Sequence, residues 1–520
     1  MRAELTLTLA PEAASTREGL LAATAEAAGV PPSGITGFRV LHRSIDARRK
    51  PIVVNLKVEA AIDQPLAQEP PAFHYPDVSA ARTVLIVGAG PAGLFAALRL
   101  IELGLRPVIL ERGRDVSTRK RDIAKIHHEH LLDTESNYCF GEGGAGAFSD
   151  GKLYTRSKKR GDNARVLARF HFHGAPEAIT YEAHPHIGSD KLPGIITSMR
   201  EAICQAGGEV RFGARVTGLT LRNSAVAGVR LASGETLECP SVILATGHSA
   251  HDVYEMLHRQ GIALEAKAFA MGVRVEHPQA LINAIQYSRD PAQIPWLPPA
   301  SYTLAHQSDG RGVYSFCMCP GGFIVPAATA PQSIVVNGMS PSLRNSPFAN
   351  AGLVVEIRAE DIPGNDALAG LRVQQELERL AFQQAGGGQT APAQRITDFV
   401  NGRAARDLPE SSYLPGLYAS SLHEWLPRHI RTRLRDGVAA FDRKMRGFLT
   451  REAVLVGVES RTSSPIRIPR DRATCQHVQV RGLYPCGEGA GYAGGILSSA
   501  IDGENCAEAA AKAARASLPA

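Results

Sequence analysis

Gly88, Gly90 and Gly93 stand in the run GAGPAG, and Glu111 follows 23 positions after the first of them. Each residue type has a task in holding a dinucleotide. The first glycine permits a tight turn, the second lets backbone approach a pyrophosphate, and the third lets a helix and a strand pack closely. A helix opening at Pro91 and Ala92 presents free N–H groups and its positive dipole end to the phosphates. That dipole is worth about 0.3–1 kcal/mol, so it orients the phosphates and does not alone hold them. A glutamate at the end of the next strand accepts both hydroxyls of a ribose.

Two further stretches repeat the glycine spacing. Gly141-Glu-Gly143-Gly144-Ala145-Gly146 lies between polar runs, with neither a buried strand before it nor a helix after it. Gly489-Ala-Gly491-Tyr-Ala-Gly494 lies between a strand and a helix, but no second strand and no ribose-binding acid follow. One dinucleotide site is expected, with the 141–146 loop, continuing to Ser149 and Lys152, passing close to the ligand.

Other reactive residue types stand elsewhere in the chain. Cys317 and Cys319 are separated by one residue, whereas redox pairs usually have two between them; both are expected to be buried, unreactive thiols. The sets His127-His128-Glu129-His130, His184-Pro185-His186, and His248 with His251 are read as solvated or capping groups, and no metal site is expected. Arg461 and Arg467 precede the last glycine cluster, and guanidinium groups suit carboxylates and phosphates. They are candidate anchors for an anionic substrate; the alternative is ion pairing with Glu459 or Asp471. The basic segment 43–50, RSIDARRK, lacks interleaved aromatics for base stacking.

The elements that must position these residues follow from periodicity. TVLIVGAG, RPVILERG and CPSVILATG read as buried parallel strands, with a helix from Pro91 and a long one after Gly494-Gly495-Ile496. Residues 3–9, 15–28 and 37–61 form a β-α-β-β pattern, and the proline-rich 66–81 reads as a linker. AFAMGVRVEH, GVYSFCMC, SIVVNGMS and LVVEIRA interrupt the α/β pattern as a β-rich insertion. The expected organisation is a small N-terminal α+β domain at 1–65, the linker, a discontinuous nucleotide domain at 82–255 and 446–520, and an inserted α+β domain at 256–445.

At 520 residues, with a net charge of +6 and eight cysteines without CxxC pairs, the composition is that of an ordinary globular chain. The most apolar stretch, 83–105, carries four glycines, Arg99 and Glu102, which argues against a membrane span. A cytoplasmic location and no nucleic-acid partner are expected.

The motifs together carry a family resemblance. Residues 84–113 resemble the ADP-binding opening of glutathione-reductase-type flavoproteins. VILATG at 242–247 resembles that superfamily's second motif, and GLYPCGEGAGYAGGI at 482–496 its C-terminal motif. NYCFGEGGAGAFSDGKL, YSFCMCPGG, VNGMS and GVESRTSSPIRI, with the RSIDARRK segment, are similar to a bacterial group of uncharacterised FAD-dependent dehydrogenases. The resemblance implies an α/β fold with a Rossmann-like FAD-binding domain of glutathione-reductase type, and FAD as cofactor. It implies cofactor contacts, beyond the glycine loop, from Glu111 and Arg112, Gly143, Gly144, Ala145, Gly146, Ser149 and Lys152. It adds Val216, Ala245, Thr246, Gly247, Gly487, Glu488, Gly494, Gly495 and Ile496. Many members carry aspartate where this chain has Glu488. The implied reaction is hydride transfer between flavin and an unidentified small substrate, with anions among the candidates. A flavin-dependent monooxygenase and a flavin-bearing nucleic-acid-binding or tRNA-modifying protein are the alternatives.

Overall fold

The computed structural model describes residues 1–48, 50–66, 73–154, 161–288, 295–364 and 366–516. Arg49 of the basic segment, residues 67–72 of the expected linker, and 155–160, 289–294, 365 and 517–520 of the expected domains lie outside the described residues.

Short apolar runs become a parallel sheet because both of its faces are covered. Thr83–Val87 is the middle strand. Arg106–Leu110 and then Glu209–Arg211 lie on one side of it, and Val242–Leu244 and then Leu483–Pro485 on the other. The last of these strands comes from the far end of the sequence, so the sheet joins two distant stretches of chain. Helix Pro91–Glu102 packs with the long helix Ile496–Ala516. The two approach so closely at Gly503 that a Cβ there would lie 2.1 Å from the carbonyl oxygen of Ala92. Backbone proximity at this point places the start of the long helix beside the start of the first one. Ile496 and Pro91 both reach within 3.3 Å of where a Cβ on Gly146 would stand.

A seven-stranded, largely antiparallel sheet forms the second layer. Its order is Ala305–Ser308, Arg311–Cys319, Phe348–Ile357, Phe269–Pro278, Val454–Glu459, Ala391–Arg395, Leu417–Ala419. Helices Ala369–Gln383 and Arg428–Lys444 bury apolar stripes in the same cluster. Val454–Glu459 falls in the stretch that the sequence reading gives to the second nucleotide-domain segment, 446–520. The strand is instead hydrogen-bonded within this sheet, where its wholly buried VLVGVE run is covered on both faces. Val336–Met339, expected among the β-rich segments, pairs with Phe323–Pro326 in a separate ribbon.

The N-terminal residues form an antiparallel sheet in the order Arg2–Leu9, Val53–Ile62, Ile35–Asp46. Helix Arg17–Ala28 is capped by Thr16 and closed by Gly29 at φ 71°. Arg43 ties this unit on through backbone bonds with Tyr181 and Ala183 and an ion pair to Glu182 at 2.7 Å. Among the described residues no helix is long and apolar enough to cross a membrane.

Candidate functional site

The glycines of the first motif separate into two kinds. Gly88 has φ 104°, and a Cβ there would sit 2.5 Å from the carbonyl oxygen of Ala245; at Gly93 it would sit 1.9 Å from that of Gly88. Both are required by the protein's own backbone. Gly90 is extended, and its Cβ would meet nothing closer than the Gly144 Cα at 3.8 Å. Its missing side chain leaves space in a cavity of about 250 Å³, which it lines with Gly88, Pro91 and Ala92.

Glu111 also lines the cavity but is nearly buried. Its Oε2 accepts from the Ala89 amide at 2.8 Å, and its Oε1 from those of Gly113 and Gly141 at 2.9 and 3.0 Å. The carboxylate therefore braces three turns, and a lone pair on Oε2 is left over for a ligand hydroxyl. Arg112 lies 4.1 Å from the centre of the Phe140 ring and is held by Glu135 and Asp252, each at 2.9 Å.

The 141–146 loop owes its shape to a residue that sequence reading missed. Arg119, fully buried, donates to the carbonyls of Asn137 (2.7 Å), Tyr138 (2.8 Å) and Glu142 (2.7 Å). Burial pushes its pKa down to about 10. Glu142, also fully buried, accepts from Arg200 at 2.7 Å and from the Val116 amide at 2.8 Å. Arg119 sits in the polar run VSTRKRD, which carries no pattern of a buried position; its only signal is the adjoining glycine-rich loop. Gly144, Ala145, Gly146, Ser149 and Lys152 reach the cavity wall. Gly143 does not line it, because its α-carbon faces Ile196, 2.4 Å from where a Cβ would stand.

Val216, Ala245, Thr246, Gly247, Gly487, Glu488, Gly494, Gly495 and Ile496 complete the part of the wall expected from the motifs. Gly487 is fixed by its amide on Asp502 at 2.7 Å, and Asp502 in turn takes two bonds from Arg470 at 2.6 and 3.0 Å. Arg470 stacks 3.9 Å from the Tyr492 ring centre. Of the histidines read as solvated or capping, His127 turns inward. Its Nε2 is 2.7 Å from the Tyr138 hydroxyl, and burial lowers its pKa to about 4.

The remaining wall comes from the seven-stranded sheet. The strand Arg311–Cys319 slips register between Phe316 and Cys319, and Cys317 adopts φ 41°. An unbroken strand would have placed the two thiols on one face, and with the bulge both cysteines still line the cavity. Cys319 is buried and takes a contact from Arg274 at 3.5 Å. Cys317 lines the cavity, contrary to the expectation that both are buried, and its enclosed setting pushes its thiol up to about 12. Beneath the bulge, Arg274 and Glu459 form an ion pair at 2.7 Å with both side chains at most 2% exposed. Arg274 also donates to the Asn350 Oδ1 (2.7 Å), to the Asn337 Oδ1 (3.3 Å) and to the carbonyl of Cys317 (2.8 Å).

Arg461 reaches the cavity wall, but its partners differ from those expected. Nε and Nη2 each donate to Glu378 at 2.8 Å, and Nη1 donates to Thr329 at 2.7 Å. Glu459 is taken by Arg274, and Asp471 accepts from the amides of Ala473 and Thr474. Arg467 lies outside the wall, half-exposed, 3.9 Å from Glu265 and 5.8 Å from the Tyr492 ring centre.

Comparison with known proteins bears on this geometry. Residues 81–134 match the family described as FAD binding domain, residues 268–462 the family described as FAD-dependent protein, C-terminal domain-like, and residues 1–61 a domain of unknown function. An uncharacterised protein of Clostridium beijerinckii is 42% identical over 498 residues, covering 91% of this chain and 92% of that protein. The chain belongs to the same family as that Clostridium protein. The chain binds FAD, and its fold is Rossmann-like FAD-binding α/β with an added β-rich layer. Among solved structures, CtdE in complex with FAD is similar at 11% identity, TM-score 0.33, covering 83% of each chain. A geranylgeranyl bacteriochlorophyll reductase-like protein of Thermoplasma acidophilum is similar at 13%, TM-score 0.34, covering 84% of this chain and 79% of that one. The FrdA chain of E. coli quinol fumarate reductase is similar at 12%, TM-score 0.35, covering 85% of this chain and 71% of that one.

Proposed function

We propose that this family member is an FAD-dependent oxidoreductase of the dehydrogenase type, acting on a small molecule held between the glycine motifs and the seven-stranded sheet. The observation that carries the reading is the continuity of one cavity. It runs from Gly90 and Glu111 to Cys317 and Asn337, so cofactor motifs and a second wall unrelated to them face the same space.

In this reading Gly90 leaves room for the pyrophosphate, the start of the helix at Pro91 turns its amides toward it, and Glu111 takes a ribose hydroxyl. The backbone at Gly495 and Ile496 supplies N–H donors where negative charge gathers on reduction, while the Gly494 amide is taken by the Ser498 hydroxyl at 3.1 Å. When bound, the flavin supplies hydride acceptance at its N5. The protein's share is orientation and exclusion of water. Arg119 and Glu142 hold the 141–146 loop in register, and Arg274 with Glu459 holds the opposite wall.

Anaerobic mixing of the purified yellow protein with fractionated metabolite pools tests the proposal. Bleaching of the flavin by one fraction without oxygen is the expected result. A flavin that is never reduced by substrate, combined with product formation that consumes oxygen and a nicotinamide donor, would make the protein a monooxygenase instead.

A further inference from the structure

Lys152 and Asn337 face the cavity from opposite layers. Lys152 follows the 141–146 loop, and its Nζ donates to the carbonyl of Met318. The nearest carboxylate, Asp150, lies 3.9 Å away and is engaged by Arg344 through two bonds of 2.7 and 3.2 Å. Asn337 is oriented without ambiguity. Its Oδ1 accepts from Arg274 at 3.3 Å and from the Gly338 amide at 2.8 Å, and a guanidinium can only donate. The carboxamide must therefore point its oxygen at Arg274, which leaves Nδ2 as a donor without a partner among the described residues.

Arg274 and Lys152 also grip consecutive carbonyls of the bulge, those of Cys317 and Met318. The two donor groups are thereby fixed to one short segment. The charges around it do not balance. Lys152, Arg344 and Arg274 contribute three cations, and Asp150 and Glu459 two carboxylates. Arg461 and Glu378 cancel each other. One positive charge remains beside the cavity, where it favours a single anion.

We infer that Lys152 and Asn337 form a carboxylate-binding subsite, so that the substrate of the proposed oxidoreductase is a small organic acid. Lys152 takes one carboxylate oxygen and the Asn337 Nδ2 the other, while Arg274 positions Asn337. The inference rests on the proposed function. It moves Lys152 from the cofactor contacts, where its motif suggested it, to the substrate, and replaces the arginines 461 and 467 as anion anchors.

The test uses the FAD-loaded full-length protein at constant ionic strength, titrated with acetate and benzoate and, as neutral controls, acetamide and benzamide. The absorbance of the bound flavin is the readout. At least one carboxylate should give a saturable perturbation that neither amide gives. Lys152→Met should weaken that binding about ten- to a hundredfold, the usual loss for a hydrogen bond to a charged group. Lys152→Arg should restore part of it. Asn337→Asp keeps the acceptor for Arg274 and removes the donor, and should weaken binding at least as much at unchanged flavin content. Absence of saturation by either carboxylate, or unaltered affinity in flavin-loaded Lys152→Met, would overturn the assignment. Loss of FAD from Lys152→Met would return the lysine to the cofactor and also overturn it. A wild-type protein that binds these acids but is reduced by no metabolite would leave the subsite standing and remove the dehydrogenase reading.

Discussion

Arg274 and Glu459 meet at 2.7 Å on adjacent strands of the seven-stranded sheet, with 0% and 2% of their side chains exposed. Burial works against both charges, and the carboxylate beside it nonetheless holds the Arg274 guanidinium above its ordinary pKa. Removing one partner leaves the other charged and enclosed. Arg274→Met should cost about 3–5 kcal/mol, whereas the double change Arg274→Met with Glu459→Leu should cost much less. Urea unfolding of the three proteins measures both. A double variant as unstable as the single one would mean that the pair contributes more than mutual neutralisation.

Gly90→Ala separates space for the ligand from space for the fold. No protein atom lies within 3.8 Å of the added methyl, so the unfolding midpoint of the flavin-free protein should barely move. FAD affinity should fall if, as proposed, the backbone at Gly90 approaches the pyrophosphate, because the methyl would stand between them. Gly93→Ala should do the reverse and unfold the protein, since its methyl meets the Gly88 carbonyl oxygen at 1.9 Å. Equal FAD affinity in Gly90→Ala and wild type would place the pyrophosphate elsewhere.

The two candidate arginines should part company. Arg461→Ala strands Glu378, which is 2% exposed, and should lower stability by about 3–5 kcal/mol. Arg467 is 44% exposed, and its replacement by alanine should stay within about 0.5 kcal/mol of wild type. Melting temperature and flavin content, read on the same samples, check this. A fully stable Arg461→Ala would show that Glu378 finds another partner.

His277 should contribute to acid lability. Its Nε2 donates to the Phe448 carbonyl at 2.8 Å, and burial lowers its pKa from 6.5 to about 4. In the window between those values the unfolded chain binds the proton and the folded one does not. The stability that His277 contributes is therefore present above about pH 6.5 and is lost as pH falls toward 4. His277→Gln should flatten the fall of the urea midpoint over that window, by up to about 3 kcal/mol. An unchanged slope would assign the loss to other groups.

How far the sequence could be read depended on the kind of interaction. The runs TVLIV, RPVIL and VIL specify buried parallel strands because their apolar residues are continuous, and Gly88, directly after Val87, marks a turn that no side chain fits. The roles of Arg119 and Arg274 were not legible. An arginine that satisfies backbone carbonyls or a single carboxylate in the interior has the same local signature as a solvated one. The bulge at Cys317 was equally hidden, since alternation in VYSFCMC is consistent with an uninterrupted strand, and only the register against Phe348–Ile357 reveals the slip. Arg461 was singled out for good reason, but its partner Glu378 lies 83 positions earlier on a helix, beyond any local pattern.

The interleaving of the parallel sheet has a consequence for the order of events during synthesis. Leu483–Pro485 forms the edge beside Val242–Leu244, and Gly503 seats the final helix on Ala92. The ribosome has therefore released the glycine loop, the acid and the whole antiparallel layer before the cradle's last wall exists. Until then the apolar face of helix Pro91–Glu102 has no partner from the final helix. The nascent chain carries an open, sticky groove through most of its translation, and this is the stage at which a chaperone would find it. Cofactor loading therefore waits for residues 483–503 to be made, and cells starved of riboflavin should accumulate a colourless form of the protein.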